Sequence, residues 1–235
     1  LDDSGAVIPG MSLYSRAGSG VPGTVDGLIR ILKDHGSGKI TIRQVLAPAI
    51  RLAEKGFLLS HYEARQFNAY KSFFERNDAA ANIFIRKDNR PWKENDRFIQ
   101  RDLSKTLKRI AKYGRDGFYT GPVAKMIVEE MKRGNGLISM DDLSNYSSKY
   151  RDPVTGYYKG YEVISMGPPS SGGALLINML NMLEIYGKDS LEWNSSDYVH
   201  ILTEIERRAY ADRAEHMGDP DYWDVPLEMF RSKEY

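Results

Sequence analysis

Four histidines, two acidic clusters and one loop rich in glycine, proline and serine are where this sequence could do chemistry. His35, His61, His200 and His216 include no pair at the i, i+4 spacing of a helical zinc site. His200 and His216 fall on one expected helix, but about 24 Å apart along it, so they cannot share an ion. Asp141-Asp142 and Asp219-Pro220-Asp221 lack the alternating oxygens, central glycine and terminal glutamate of an EF-hand. Asp142 instead suits the start of a helix, and Asp219 and Asp221 flank a proline turn. No metal and no cofactor is expected.

The choice of nucleophile is narrow. The 235 residues contain no cysteine, which removes disulfide scaffolds, thiolate zinc sites, iron–sulfur clusters and a cysteine nucleophile. Ser, Thr, Lys, Asp and Glu remain. Neither a G-x-S-x-G elbow nor the S-x-x-K, S-D-N and K-T-G set is present. The loop Gly167-Pro168-Pro169-Ser170-Ser171-Gly172-Gly173 lies between an expected strand and an expected buried helix. Such a loop aims several amides at one spot and suits an anion or oxyanion. It carries neither the lysine of a P-loop nor a G-x-G-x-x-G spacing, and the sequence shows no basic residues converging on it. Ligand contact and a purely structural role both stay open, and Ser170 and Ser171 are the candidate substrate-binding residues. No catalytic residue is assigned.

Charge and hydropathy exclude other classes. Lys and Arg number 33 against 32 Asp and Glu, a formal charge of +1, which argues against a nucleic-acid or anionic-membrane binder. The aromatic residues, 15 of them Tyr, spread over expected core faces without forming a stacking stripe beside basic neighbours. The richest apolar run, Ala174 to Ile177, ends at Asn178, far short of the ~18 residues of a membrane span. The start at Leu1 and the finish at Tyr235 read as the cut ends of a soluble fragment, with no signal segment in it.

The elements that must position these residues change character along the chain. Residues up to about 23 are too densely broken by Gly and Pro for a regular element. Helices are expected at about 24–35, from Thr41 with a Thr41–Gln44 capping box, and from Ser60 with a Ser60–Glu63 box, the last running through Phe67, Tyr70, Phe73 and Phe74. Pro48 should bend the second of them. Ile83-Phe84-Ile85 suggests a short strand and Asn89-Arg90-Pro91 a turn. Further helices fit 102–113 and 121–133, and Ser139 with Asp142 opens a brief one. From Pro153 to Met166 the composition turns to Val, Tyr, Thr and Ile around Lys159-Gly160, which predicts a β-hairpin with strands near 153–158 and 161–166. A helix over 174–186 shows only Asn178, Asn181 and Glu184 as a polar stripe, so the rest must be buried. A last helix spans about 196–217, with Tyr198, Ile201, Leu202, Ile205 and Ala209 inward and Glu204 able to pair with Arg208. Residues 1–140 form a mainly helical section, and 141–235 a hairpin plus helices, within one domain of α+β class.

Gly18-Ser19-Gly20-Val21-Pro22-Gly23-Thr24-Val25-Asp26-Gly27 resembles the γ-glutamyltranspeptidase family. So do the run from Leu46 to Phe57, Gly117-Phe118-Tyr119-Thr120-Gly121-Pro122-Val123-Ala124, the hairpin with Pro168 to Gly173, Ala209-Tyr210-Ala211-Asp212-Arg213 and Gly218-Asp219-Pro220-Asp221, in the family's order. The resemblance implies a precursor that cleaves itself into large and small subunits, and the four-layer αββα sandwich of N-terminal-nucleophile hydrolases. It implies a threonine nucleophile freed at the small subunit's N-terminus, with its own α-amine as base. The reaction so implied transfers a γ-glutamyl group from glutathione or a related compound to an amino acid, peptide or water. This chain then corresponds to the middle and end of the large subunit. Its partners would be the small subunit carrying the threonine and γ-glutamyl substrates, with no nucleic acid and no membrane span. Since Leu1 offers no side-chain nucleophile, the chain alone is expected to be inactive. An extracytoplasmic or secreted location follows from the resemblance, with the cytoplasm left open. The alternatives are a related acylase acting on β-lactam side chains or poly-γ-glutamate, and a non-catalytic anion-binding module.

Overall fold

Side-chain caps set many of the helix starts. The computed structural model describes residue 2 and residues 4–186 and 191–235, which divide into two compact units, Leu1–Ser148 and Lys149–Tyr235.

The first unit begins with α1 (Met11–Tyr14), a 3-10 turn (Arg16–Gly18), α2 (Thr24–His35) and α3 (Ile42–Lys55). Short elements thus occur where glycine density predicts only loop. α2 ends at Gly36 in extended backbone, where a Cβ would overlap the Leu32 carbonyl. The Thr41–Gln44 box opens α3, which contains Pro48. After β1 (Phe57–Leu58), the Ser60–Glu63 box opens α4 (His61–Ala69); the chain breaks at Tyr70 and resumes as α5 (Lys71–Phe74), so the single helix expected there is two.

Ile83-Phe84-Ile85 is not a strand. Asn77 caps α6 (Asp78–Phe84) by accepting from the Ala80 amide, and the alanines that follow favour helix over the pull of the β-branched residues. The turn lies earlier than expected, closed by the Asn89 amide on the Arg86 carbonyl. β2 (Arg97–Phe98) pairs antiparallel with β1. Then come α7 (Arg101–Tyr113), α8 (Asp116–Tyr119), α9 (Gly121–Arg133) and α10 (Met140–Asn145), the last opened by the Ser139–Asp142 box. One core gathers Tyr119, Ala124, Val128, Ile138 and Leu143; a second gathers Leu59, Ala64 and Phe98.

A buried polar knot ties this unit together. Asp26, 9% exposed, accepts from the Arg115 guanidinium at 3.0 Å and the Ser148 amide at 2.7 Å. Tyr119 donates its hydroxyl hydrogen to the Pro22 carbonyl at 2.5 Å and accepts from the Asp26 amide. Burial pushes the Asp26 carboxyl up, but Ser148 and the Arg115 charge outweigh it and hold the group below its ordinary value.

The second unit opens with β3 (Val154–Tyr158) and β4 (Tyr161–Ser165), joined by Lys159-Gly160 with both residues at positive φ. That is the backbone a two-residue hairpin turn requires. The register pairs Val154 with Ser165 and Tyr158 with Tyr161. α11 (Gly172–Glu184), α12 (Ser196–His216) and α13 (Leu227–Arg231) follow. Ala174, Leu175, Ala209 and Phe230 form their common core. The polar stripe of α11 is not its solvent face: Asn178 is buried, Asn181 donates to the carbonyls of Arg231 and Ser232, and Glu184 accepts from the Lys159 amide and the Lys233 ammonium. Leu176, an apolar position, is exposed instead. Among the described residues no helix is long and apolar enough to cross a membrane.

Candidate active-site wall: the loop before α11

The Gly167–Gly173 loop is built by close approach. A Cβ at Gly173 would overlap the Met166 carbonyl, so only glycine lets the first turn of α11 pass this near the end of β4. Ser171 stands at the N-cap in helical conformation and makes no cap of its own. Its hydroxyl oxygen instead accepts from the Arg213 guanidinium of α12 at 3.0 Å. Ser170 accepts from the Gly172 amide at 3.3 Å. The structure thus corrects the expectation that no basic residue reaches this loop; Arg213 lies 42 positions away in sequence, and only folding brings it there. Each serine keeps its own O–H to donate.

Beside the loop runs an ion-pair cluster. Asp221 accepts from the Lys149 ammonium at 2.6 Å and from Arg151 at 3.0 Å, and Asp219 lies 3.7 Å from Arg151. The hydrogen bond from Lys149, then that from Arg151, lowers the Asp221 pKa. The acidic pair therefore fastens the chain entering β3 to the turn after α12. Two open clefts meet at Pro168. One, of about 840 Å³, has Tyr222, Trp223 and Asp224 on its wall; the other, of about 580 Å³, has Ile164 and Met166.

The remaining candidates stay apart. His200 and His216 sit near opposite ends of α12, and no group of three or more His, Asp or Glu converges for a metal among the described residues. Glu204 does pair with Arg208, at 2.9 Å, and with Arg207 at 2.8 Å. Asp142 accepts from the Ser139 hydroxyl and amide, which lowers its pKa. The aromatic residues are not evenly spread. Phe67, Phe74, Phe84, Trp92 and Phe98 meet in one cluster of the first unit, with Arg86 over the Trp92 ring at 5.3 Å.

The profile of the Gamma-glutamyltranspeptidase family matches residues 2–235. The chain belongs to the γ-glutamyltranspeptidase family. It is 38% identical over 235 residues to the glutathione hydrolase proenzyme of Escherichia coli, covering 100% of this chain and 40% of that protein. It is 36% identical to an acylase proenzyme of a Pseudomonas species, covering 92% of this chain and 38% of that one. Among solved structures, Helicobacter pylori γ-glutamyltranspeptidase superposes with a TM-score of 0.94 at 40% identity, over 100% of this chain and 67% of that chain. The fold is thus the large-subunit part of the αββα sandwich of N-terminal-nucleophile hydrolases. The chain spans about two-fifths of the length of the curated relatives it matches.

Proposed function

We propose that this chain is the large-subunit portion of a γ-glutamyltransferase or glutathione hydrolase, both units belonging to one catalytic domain. The observation that carries the reading is the family match over residues 2–235 together with the superposition on a γ-glutamyltranspeptidase. In the proposed reaction a threonine hydroxyl on a small-subunit polypeptide attacks the γ-carbonyl of glutathione or a similar amide. Its α-amine takes the proton and returns it to the departing amine. The γ-glutamyl ester is then released to water or to the amine of an amino acid or peptide. This chain supplies the supporting wall, with Ser170 and Ser171 as its candidate substrate contacts through their free O–H groups. An extracytoplasmic or secreted location fits the same reading.

The test is turnover of γ-glutamyl-p-nitroanilide by the purified chain, alone and paired with a companion polypeptide that begins with threonine. The chain alone should be silent and the pair active; release of nitroaniline by the chain alone sinks the reading. The acylase reading is favoured by the acylase proenzyme relative. It requires the pair to prefer glutaryl over γ-glutamyl anilide.

A further inference from the structure

Beside the gathered aromatic cluster lies a half-open hollow of about 170 Å³ between α4 and the segment that follows α6. Phe67, Phe84 and Trp92 line its apolar part, and all three pack against the buried core of Leu59, Ala64 and Phe98. An engineered apolar cavity of about 150 Å³ takes up benzene, so this space matches one six-membered ring. The mouth is fixed in advance. Asn68 donates to the Trp92 carbonyl and accepts from the Trp92 amide, both at 2.8 Å, while the Trp92 indole donates to the Phe84 carbonyl at 2.6 Å. A pocket held open by its own hydrogen bonds loses little freedom when filled.

The charged side chains on the hollow's lining are all cations, each holding a carboxylate that lies off the lining. Lys71, Arg86 and Arg90 line the hollow, and no carboxylate does. The acids nearby are already engaged: Asp88 with Arg86 and Arg90 at 3.0 and 2.8 Å, Asp96 with Arg86 at 2.6 Å, and Glu75 with Lys71 at 3.8 Å. Lys71 donates one hydrogen to Asn89 at 2.6 Å and has further donors left. A ring-sized aromatic floor beneath cationic donors suits a small planar anion.

We infer that this hollow is a binding site for a single-ring aromatic carboxylate, its ring on Phe67, Phe84 and Trp92 and its carboxylate on Lys71 and Arg90. Fluorine NMR titration of the full chain with 4-fluorobenzoate should show saturable binding at about 0.1–1 mM. 4-Fluorobenzylamine, with the same ring and the opposite charge, should not saturate. Lys71→Met and Arg90→Gln remove one donor each, together with its pairing to Glu75 or Asp88, and leave the aromatic floor in place; each should weaken 4-fluorobenzoate about ten-fold and leave uptake of neutral fluorobenzene unchanged. Absence of saturation, equal binding of the amine, or unchanged affinity in both variants would overturn the assignment.

Discussion

The two units set a key carboxylate at different depths, Asp26 with its side chain 12% exposed and Asp221 with its own 32% exposed. In the first, a carboxylate and a phenol are taken inside and satisfied there, by Arg115 and Ser148 on Asp26 and by Pro22 on Tyr119. In the second, the strong ion pairs lie at the surface, Lys149 and Arg151 on Asp221, and apolar side chains are left out in solvent. The outer face of the hairpin shows this most plainly, with Tyr157 61%, Ile164 63% and Met166 70% exposed. The first unit also leaves apolar side chains in solvent, Leu13 and Leu137 among them at 75% each, but they do not share one strand-paired face. The hairpin of the second has one face packed on α11 and another face bare, and among the described residues no further strand pairs with either of its edges.

The largest break in this contrast comes from Asp26→Ala. It leaves the Ser148 amide without its acceptor and takes the carboxylate from Arg115, which keeps the carbonyls of Ser144 and Tyr146, and should cost the first unit about 3 kcal/mol in urea unfolding; a loss under about 1 kcal/mol would show the knot to be ornamental. The same carboxylate sets an acid response. Its folded pKa is depressed, so the stability it contributes is full above the unfolded value of about 3.9 and is lost as pH falls through the lower folded value. Asp26→Ala should flatten that part of the acid-unfolding curve.

A smaller effect belongs to the second unit. Gly173→Ala forces the first turn of α11 away from Met166, at a cost of about 2 kcal/mol. Thermal unfolding followed by circular dichroism would register it, and an unchanged midpoint would mean the loop yields freely. Smallest of all is Ile164→Ser, on the bare face. It should shift stability by no more than about 0.5 kcal/mol, whereas it should reduce self-association in sedimentation. A large loss of stability would show that this face is already covered within the chain.

Local signals were legible and long-range ones were not. The Thr41–Gln44, Ser60–Glu63 and Ser139–Asp142 boxes all form, because both partners lie within one turn. Lys159-Gly160 marks the hairpin for the same reason. The β1–β2 pair was hidden, since a two-residue ladder has no periodicity and its halves lie some forty positions apart. Ile83-Phe84-Ile85 misled because β-branched residues signal strand only where nothing upstream nucleates a helix, and Asn77 does so here. Asn181 and Glu184 looked solvated because a polar stripe on a helix is ambiguous until its neighbours are known; here those neighbours are α13 and the hairpin turn. At the candidate site, the strand, loop and helix order around 167–173 was legible. Nothing in the sequence announced that Arg213 would reach Ser171, or that Arg151 would reach Asp221.

Glu184 joins the tip of the hairpin to the tail of the chain, through the Lys159 amide and the Lys233 ammonium. For anyone wishing to attach an epitope or a dye, this makes the outwardly free Lys159-Gly160 turn a poor place to insert residues, since lengthening it uncouples two fastened parts at once. Gly38, at positive φ with no atom within 4 Å of where a side chain would begin, is the better port of entry.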